Sequence, residues 1–496
     1  MIPVLTKQQA YQLDKDTIES GHLSQNKLMD NAGRAVADFF LENIKNASKQ
    51  KVLIICGKGN NGGDGIVTHY YLRKYKINSS ILLCEKNIHE DLLKQYKISN
   101  REYSNYTRNN NFSKYTYIID GIFGIGLSRK LTKKYIELIN MINKNPNIIS
   151  IDIPSGLNAD SSKKFDTFIK AAHTVTFGYP KLGHYVNCID HLHIKDIGFV
   201  NLNKSSSYDL IDINDVTKIL KPYINKKEIH KYTKGIVAIA AGGVEYPGAA
   251  ILSAQSALKA GAGYVHLFFY FDGSRQDEEQ YFHQFYSLFT NIKCLYPEII
   301  LHHEGLETDY SDNVLFGPGI VDQQTSETAL YYEEANNFII DAGGFKAFPN
   351  FSNYGHNKAI LTPHMGEFKN IFHLPDNFEL NHTLLSEIQD EIEDKIIILK
   401  SFNTFIITKS RVYIMDKGPS ILAVAGTGDV LSGILISLLS QGYNRLEASI
   451  LGTYLHAESA NYYRDNISKD SMTASDLINC IPHAYNKLRL LKDGDG

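Results

Sequence analysis

At 496 residues the chain is too long for one ordinary core, so two or more domains are expected. Its 43% hydrophobic and 21% charged residues are those of a globular protein. Lys plus Arg (51) nearly balance Asp plus Glu (54), and a net charge of −3 argues against a dedicated nucleic-acid binder built on a basic face.

The N-terminal MIPVLTKQQAYQLDKD has no apolar h-region, so a secretory signal is not expected. Strand-length apolar runs then alternate with segments of helical period, an α/β signature. KVLIICG (51–57) reads as a buried strand, followed by the turn Gly57-Lys58-Gly59-Asn60-Asn61-Gly62-Gly63-Asp64-Gly65 and a helix candidate, GIVTHYYLRKY. Glycines let a backbone approach phosphate, and a helix N-terminus supplies free N–H groups. The turn is neither G-x-G-x-x-G nor a P-loop, and a purely structural turn stays open. YTYIIDGIFG (115–124) and NIISIDIPSG (147–156) are two further strands, placing Asp120 and Asp152 at their ends. Each Asp alone reads as a turn cap. In a parallel sheet, however, strand C-terminal ends cluster, so the three endings could share one crevice. Asn61, Asp120 and Ser155 would then offer a monovalent cation an oxygen set.

GKGNNGGDG, DGIFGIGLSRKL and IDIPSGLNAD, in that order and spacing, closely resemble the YjeF N-terminal domain family of NAD(P)H-hydrate epimerases. LMDNAGRAVADFF (28–40) and TFGYPKLGHY (176–185) match the same family. The resemblance covers residues 1–205 and implies a Rossmann-like three-layer αβα domain. By it, Asn60, Asn61, Gly62, Gly63 and Asp64, with Gly124, Ile125, Gly126, Leu127, Ser128, Arg129 and Lys130, would cradle the dinucleotide phosphates. Asn61, Asp120 and Ser155 would bind K+. Asp152 would face the damaged nicotinamide ring, with Lys181 as a second catalytic candidate. The hydrated ring carries a hydroxyl beside its nitrogen, so a carboxylate such as Asp152 could shuttle the proton and stabilise positive charge. A cation-like and a ring-opened intermediate both stay open.

The polar stretch NLNKSSSYDLIDIND (201–215) breaks the rhythm and places a domain boundary near residue 205. The pattern restarts with GIVAIAAGG (235–243), and LSAQSALKAGAG (252–263) reads as a helix with small residues on one side. The longest strongly apolar stretches, such as 264–271, are strand-length and far short of a membrane span. Residues 271–313 carry only a weak pattern. Strands then end in Gly317-Pro318-Gly319 and in Thr362-Pro363-His364, and GTGDVLSG (426–433) opens an apolar helix. Asp429 there reads as a cap, or as a base beside an anion hole of N–H groups, as phosphoryl transfer requires. The five cysteines (Cys56, Cys84, Cys188, Cys294, Cys480) lie far apart without a CxxC pair, which fits a reducing cytosol.

GTGDVLSG with HKYTKG, YPGAA, LKAGAG, GPG and TPHMGE resembles the NAD(P)H-hydrate dehydratase branch of the ribokinase-like fold, over residues 206–496. The resemblance implies a second αβα domain in which Ala249, Gly319, His364 and Asp429 contact the hydrate. Lys400, Ser401, Phe402, Asn403, Thr404 and Gly428 would hold the adenine nucleotide. The family reaction spends one phosphoanhydride of ADP or ATP, carried with Mg2+, to remove the ring hydroxyl. This chain reads KSFNT where the family shows KGxxT, DAGGF (341–345) for a DADAL-like turn, and lacks Gly-Asn-Pro-Gly before GTGD. The expectation is therefore a cytoplasmic, homo-oligomeric bifunctional repair enzyme acting on NADHX and NADPHX, with no nucleic-acid or membrane partner. A vitamin or sugar kinase fused to a Rossmann-like regulatory module is the alternative.

Overall fold

The computed structural model describes residues 1–187, 189–202, 206–222, 231–269, 278–302, 311–321, 335–347 and 358–494. Cys188, His230 of the HKYTKG motif, and 270–277 and 303–310 around the weakly patterned stretch lie outside the described residues. Two compact units divide the chain: Ile2–Tyr208 with Glu379–Leu385, and Asp209–Phe378 with Ser386–Gly496 and Met1.

In the first unit a short strand β1 (Ile2–Val4) leads into the helix Lys7–Glu19, which is started by a capping box. Thr6 Oγ1 accepts from Gln9 N at 3.2 Å while Gln9 Oε1 accepts from Thr6 N at 2.9 Å, satisfying two otherwise orphan donors. Seven strands follow: β2 (Lys51–Cys56), β3 (Asn78–Leu83), β4 (Tyr103–Asn105), β5 (Tyr117–Gly121), β6 (Ile148–Ile151), β7 (His173–Phe177) and β8 (Leu192–Lys195). Their order is β4-β3-β2-β5-β6-β7-β8, every pair parallel. Alternate residues of β2 explain why it reads as a continuous apolar run. Val52, Ile54 and Cys56 pack with Val36, Phe40 and Ile66 on one face, Leu53 and Ile55 with Leu138 and Ile139 on the other. The sheet is thus a middle layer between helices. The order in which the chain adds strands reverses at β2 and β5, the position where open α/β sheets bind ligands. Glu379–Leu385 joins this unit through Ser162 N to Leu380 O (2.9 Å) and His382 N to Asp160 O (3.1 Å).

The second unit contains β9 (Tyr208–Leu210), β10 (Ile236–Ala241), β11 (Tyr264–Phe269), β12 (Ile300–His302), β13 (Asn313–Phe316), β14 (Asn337–Ile340), β15 (Ile360–Leu361), β16 (Ile396–Leu399), β17 (Thr404–Ile407) and β18 (Val412–Met415). The order is β9-β18-β17-β16-β15-β14-β13-β10-β11-β12, parallel from β12 through β16 and antiparallel across β16-β17-β18. The helices Pro247–Lys259, Thr427–Ser440, Arg445–Asn466 and Ala474–Gly494 share one apolar cluster with this sheet. Small residues allow the first two to cross closely: a Cβ on Gly433 would lie 2.0 Å from Ser256 Oγ and 2.2 Å from Ser253 O. Among the described residues no helix is long and apolar enough to cross a membrane.

Candidate active sites

In the first unit the ends of β2, β5, β6 and β7 open onto a cavity of about 310 Å³. Gly59, Asn60, Asn61 and Asp64 line it from the turn after β2, Ile122 to Gly126 from the turn after β5, and Asp152, Phe177 and Lys181 from the last two strands. The helix Asn60–Lys74 starts here without a side-chain cap on its Gly59 N-cap. Gly62 N and Gly63 N donate to Gly59 O (2.9 and 3.2 Å), which leaves the Asn60 and Asn61 N–H groups to suit an anion. Gly62 is fixed by packing, since a Cβ there would sit 1.9 Å from Gly57 O.

Asp152 follows β6 at φ 63°, an unfavourable conformation for a side-chain-bearing residue that its surroundings impose. Its N–H donates to Val175 O (2.7 Å), and its carbonyl accepts from His184 Nε2 (2.8 Å). His184 Nδ1 accepts from Lys181 N at 3.0 Å, which defines the neutral Nε2–H tautomer. Burial and the Lys181 charge push the His184 pKa down to about 4, so it stays neutral. Lys181 Nζ lies 2.7 Å from Asp152 Oδ1, and Thr176 Oγ1 donates to the same oxygen at 2.9 Å. Burial alone would raise the Asp152 carboxyl; the Lys181 ammonium and the Thr176 hydroxyl outweigh it and hold the group ionised, below its ordinary range.

Asp120 is fully buried beneath the cavity. Its Oδ1 accepts from Ser155 Oγ (2.6 Å) and Ile122 N (3.2 Å), its Oδ2 from Ser150 Oγ and Ser155 N (both 2.9 Å). Burial still raises its carboxyl against those four donors. Asn61 Nδ2 is buried with no hydrogen-bond partner. Of the predicted phosphate cradle, Asn60, Asn61, Asp64, Gly124, Ile125 and Gly126 face the cavity. Gly62 and Gly63 are buried behind it, while Leu127 is half-buried and Ser128, Arg129 and Lys130 are exposed, outside its lining. Sequence reasoning missed Tyr11, Asp14 and Ile18, which the first helix presents to the cavity. Their i, i+3, i+7 spacing was the available signal.

The second constellation is built from the ends of β13, β14, β15 and β16 and the N-terminus of the helix Thr427–Ser440. Lys400, directly after β16, pairs with Asp341 Oδ1 at 2.8 Å, and Ser432 Oγ donates to Asp341 Oδ2 at 2.5 Å. A Cβ on Gly428 would meet Lys400 Nζ at 3.2 Å, so that ammonium stands over the start of the helix. Asp429 sits in this field. Burial, then the Asp341 and Glu367 charges, raise its carboxyl to about 7 against the opposing pull of Lys400. Glu367 is raised as well, chiefly by burial. Thr427 Oγ1 donates to Leu422 O and Val424 O at 2.9 Å, and half-buried His456 donates Nε2–H to Thr427 O at 2.8 Å, fixing the turn.

His364 caps the helix Met365–Ile371: its Nδ1 accepts from Gly366 N (3.0 Å) and Glu367 N (3.2 Å), and its side chain is 61% exposed. Gly319 packs against Ala249 and Tyr246 at the start of the helix Pro247–Lys259. That helix reaches Asp429 through Ser253 Oγ, which donates to the Asp429 carbonyl at 3.2 Å. Ser401, Phe402 and Asn403 form the turn before Thr404; Ser401 Oγ donates to Asn403 O at 2.5 Å and the Phe402 ring is 55% exposed. Phe402 thus points its bulk outward. Asp341, Glu367 and Ser432 were missing from the predicted set, although DAGGF and TPHMGE each flag one of them.

The model of the YjeF-related protein N-terminus matches residues 25–183, and that of NAD(P)H-hydrate dehydratase matches residues 237–483. Among curated relatives, the bifunctional NAD(P)H-hydrate repair enzyme of Dictyoglomus turgidum is 31% identical, over 93% of this chain and 94% of its own. The NAD(P)H-hydrate epimerase of Oenococcus oeni is 37% identical over 36% of this chain and 87% of its own. Among solved structures, the ADP/ATP-dependent NAD(P)H-hydrate dehydratase of Bacillus subtilis co-crystallised with ATP/Mg2+ is 23% identical. It covers 56% of this chain and 98% of that one, with a TM-score of 0.48.

Proposed function

The chain belongs to the family of bifunctional NAD(P)H-hydrate repair enzymes, and from that premise we propose how its two sites divide the work. Residues 1–205 form the epimerase domain, which interconverts R- and S-NAD(P)HX. Residues 206–496 form the dehydratase domain, which returns the S epimer to NAD(P)H at the expense of ADP or ATP. The observation that carries this reading is the opposite tuning of two carboxylates. Asp152 is held ionised in a cavity by Lys181, while Asp429 is raised to about 7 at a helix N-terminus.

In the epimerase domain a permanently ionised Asp152 suits stabilisation of positive charge on the ring. Asn60, Asn61 and the uncapped N-terminus of their helix suit the dinucleotide phosphates. The residues also suit K+: Asn61, Asp120 and Ser155 would supply oxygen ligands, and the charge of a cation would offset the effect of burial that raises Asp120. Bound there, K+ would supply fixed positive charge beside the phosphates.

In the dehydratase domain Asp429, as base, takes the proton of the ring hydroxyl as that oxygen attacks the terminal phosphorus of the nucleotide. A base with a pKa of about 7 is well matched to neutral pH. Lys400 and the free N–H groups at the start of the helix Thr427–Ser440 receive the charge developing on the transferred group. The phosphorylated oxygen then leaves with its bonding electrons, and loss of the adjacent ring proton restores the double bond. Mg2+ would arrive with the nucleotide, since among the described residues no group of three or more His, Cys, Asp or Glu could hold a metal ion. The free cysteines Cys56, Cys84, Cys294 and Cys480 suit the cytoplasm we assign to the protein.

Asp429→Asn tests the second site. Regeneration of the reduced nicotinamide from S-NADHX and ADP or ATP, followed by absorbance, should fall by about 100-fold or more. A loss below tenfold would remove Asp429 from its role.

A further inference from the structure

The helix Lys7–Glu19 is the element that neither motif reading nor the proposed chemistry has used. It is pinned beside the site: Leu5 N donates to Pro180 O (2.8 Å), Leu182 N donates to Leu5 O (3.0 Å), and Lys7 N donates to Asp160 Oδ1 (2.6 Å). One stripe, Ala10, Leu13 and Thr17, is buried. A neighbouring stripe at i, i+3 and i+7 brings Tyr11, Asp14 and Ile18 to the cavity that also holds Asp152 and Lys181. Among the described residues the Asp14 carboxyl has no hydrogen-bond or ion-pair partner, although the residue is only half-exposed. Its carboxyl is thus left to water or to a ligand in the cavity.

From this we infer that Asp14 is a further catalytic residue of the epimerase, the proton donor that complements the ionised Asp152. The inference rests on the epimerase reading of this cavity. Three carboxyls, those of Asp14, Asp64 and Asp152, line the cavity; burial and their mutual repulsion raise Asp14 and Asp64, while Asp152 stays charged. The groups facing Asp14 are Tyr11 on its own helix, Asp152 and Lys181 at the strand ends, and Asp64 on the facing helix. Burial and the Asp152 charge raise Asp14 to about 6 against the pull of Lys181, whereas Lys181 keeps Asp152 charged. Such a split assigns acid and base.

In the step this permits, Asp14 in its acid form protonates the ring hydroxyl. The C–O bond breaks, its electron pair leaves with water, and the ring nitrogen lone pair fills the carbon. Asp152 stays ionised and stabilises the cation. Water then adds from the other face, and the proton it sheds returns through cavity water to Asp14. No oxidant or further reactant is needed.

The test uses the full-length protein with R-NADHX, measuring the rate of S formation above the spontaneous rate from pH 5 to 8. The wild-type rate should fall as pH rises through about 6, because Asp14 loses its proton there. Asp14→Asn should be about 100-fold slower with that limb absent, and Asp14→Glu should restore the limb and part of the rate. Dehydration of purified S-NADHX by the same preparations should be unchanged, which reports that the second unit is intact, and a thermal unfolding curve matching the wild type reports that the first unit is folded. An Asp14→Asn protein within about threefold of wild type, with the same pH limb, overturns the assignment. Equal loss in Asp14→Glu without the limb overturns it too, leaving Asp14 a packing residue. A wild type that does not epimerise at all overturns instead the reading beneath it.

Discussion

Asp429 sits where its charge is unwelcome, and that has a measurable cost. Its folded pKa of about 7 lies above the ordinary 3.8, so between about pH 4 and 7 the folded state binds more protons than the unfolded one. Stability therefore falls as pH rises across that window, and the whole penalty is present at neutral pH. Asp429→Asn should consequently melt higher than wild type at pH 7.5, by roughly 2–4 °C, with the difference gone near pH 4. A lower melting temperature at pH 7.5 would contradict the strained-base account. Lys181 is the reverse case. It is the partner of a carboxylate whose side chain is only 13% exposed, and Lys181→Met leaves that mostly buried charge uncompensated. The expected loss is about 3–5 kcal/mol by denaturant unfolding, together with loss of epimerisation. At this scale the sequence made Asp152 and Asp429 legible because each ends an apolar strand or opens a glycine-rich helix. Asp341, Glu367 and Ser432 lie inside DAGGF, TPHMGE and GTGDVLSG but were given no role, because contacts such as the 2.5 Å bond from Ser432 on its helix to Asp341 at the end of β14 join distant parts of the chain.

At the scale of elements, the two helices Pro247–Lys259 and Thr427–Ser440 set the position of Asp429. Their close crossing depends on Gly433, and their contact includes the Ser253 bond to the Asp429 carbonyl. Gly433→Ala puts a methyl group against backbone that cannot yield, so a destabilisation of about 1–3 kcal/mol is expected. The dehydratase rate should fall with it, because the helices part at the catalytic end; an unchanged rate and melting temperature would show that the crossing is slack. The small residues of LSAQSALKAGAG were readable as helix packing, and helix packing is what they do. The first helix was not readable as part of a site. Its Asp14 occupies an ordinary polar position of an amphipathic pattern, and only the pinning of Leu5 beside Pro180 and Leu182 turns it toward the cavity. The stretch 271–313 was left unassigned, and the structure gives it the helix Glu278–Leu295 and the edge strand β12. Its pattern was weak because β12 is only three residues long and partly exposed.

On the scale of the whole molecule, the alternation of buried strands and helices was plain in the sequence because both sheets are largely parallel and covered, which forces continuous apolar runs. The antiparallel β16-β17-β18 end was less plain, since KSFNT carries no glycine to mark its turn. The central claim is that one chain presents two different carboxylate sites to the same damaged cofactor. The most direct measurement mixes R- and S-NADHX with ADP or ATP and follows the recovery of absorbance by the wild type, Asp152→Asn and Asp429→Asn proteins. The wild type should consume both epimers. Asp152→Asn should convert the S epimer and leave R to its spontaneous rate, and Asp429→Asn should interconvert the epimers while regenerating almost no NADH. Consumption of both epimers at wild-type rates by either variant would contradict the account.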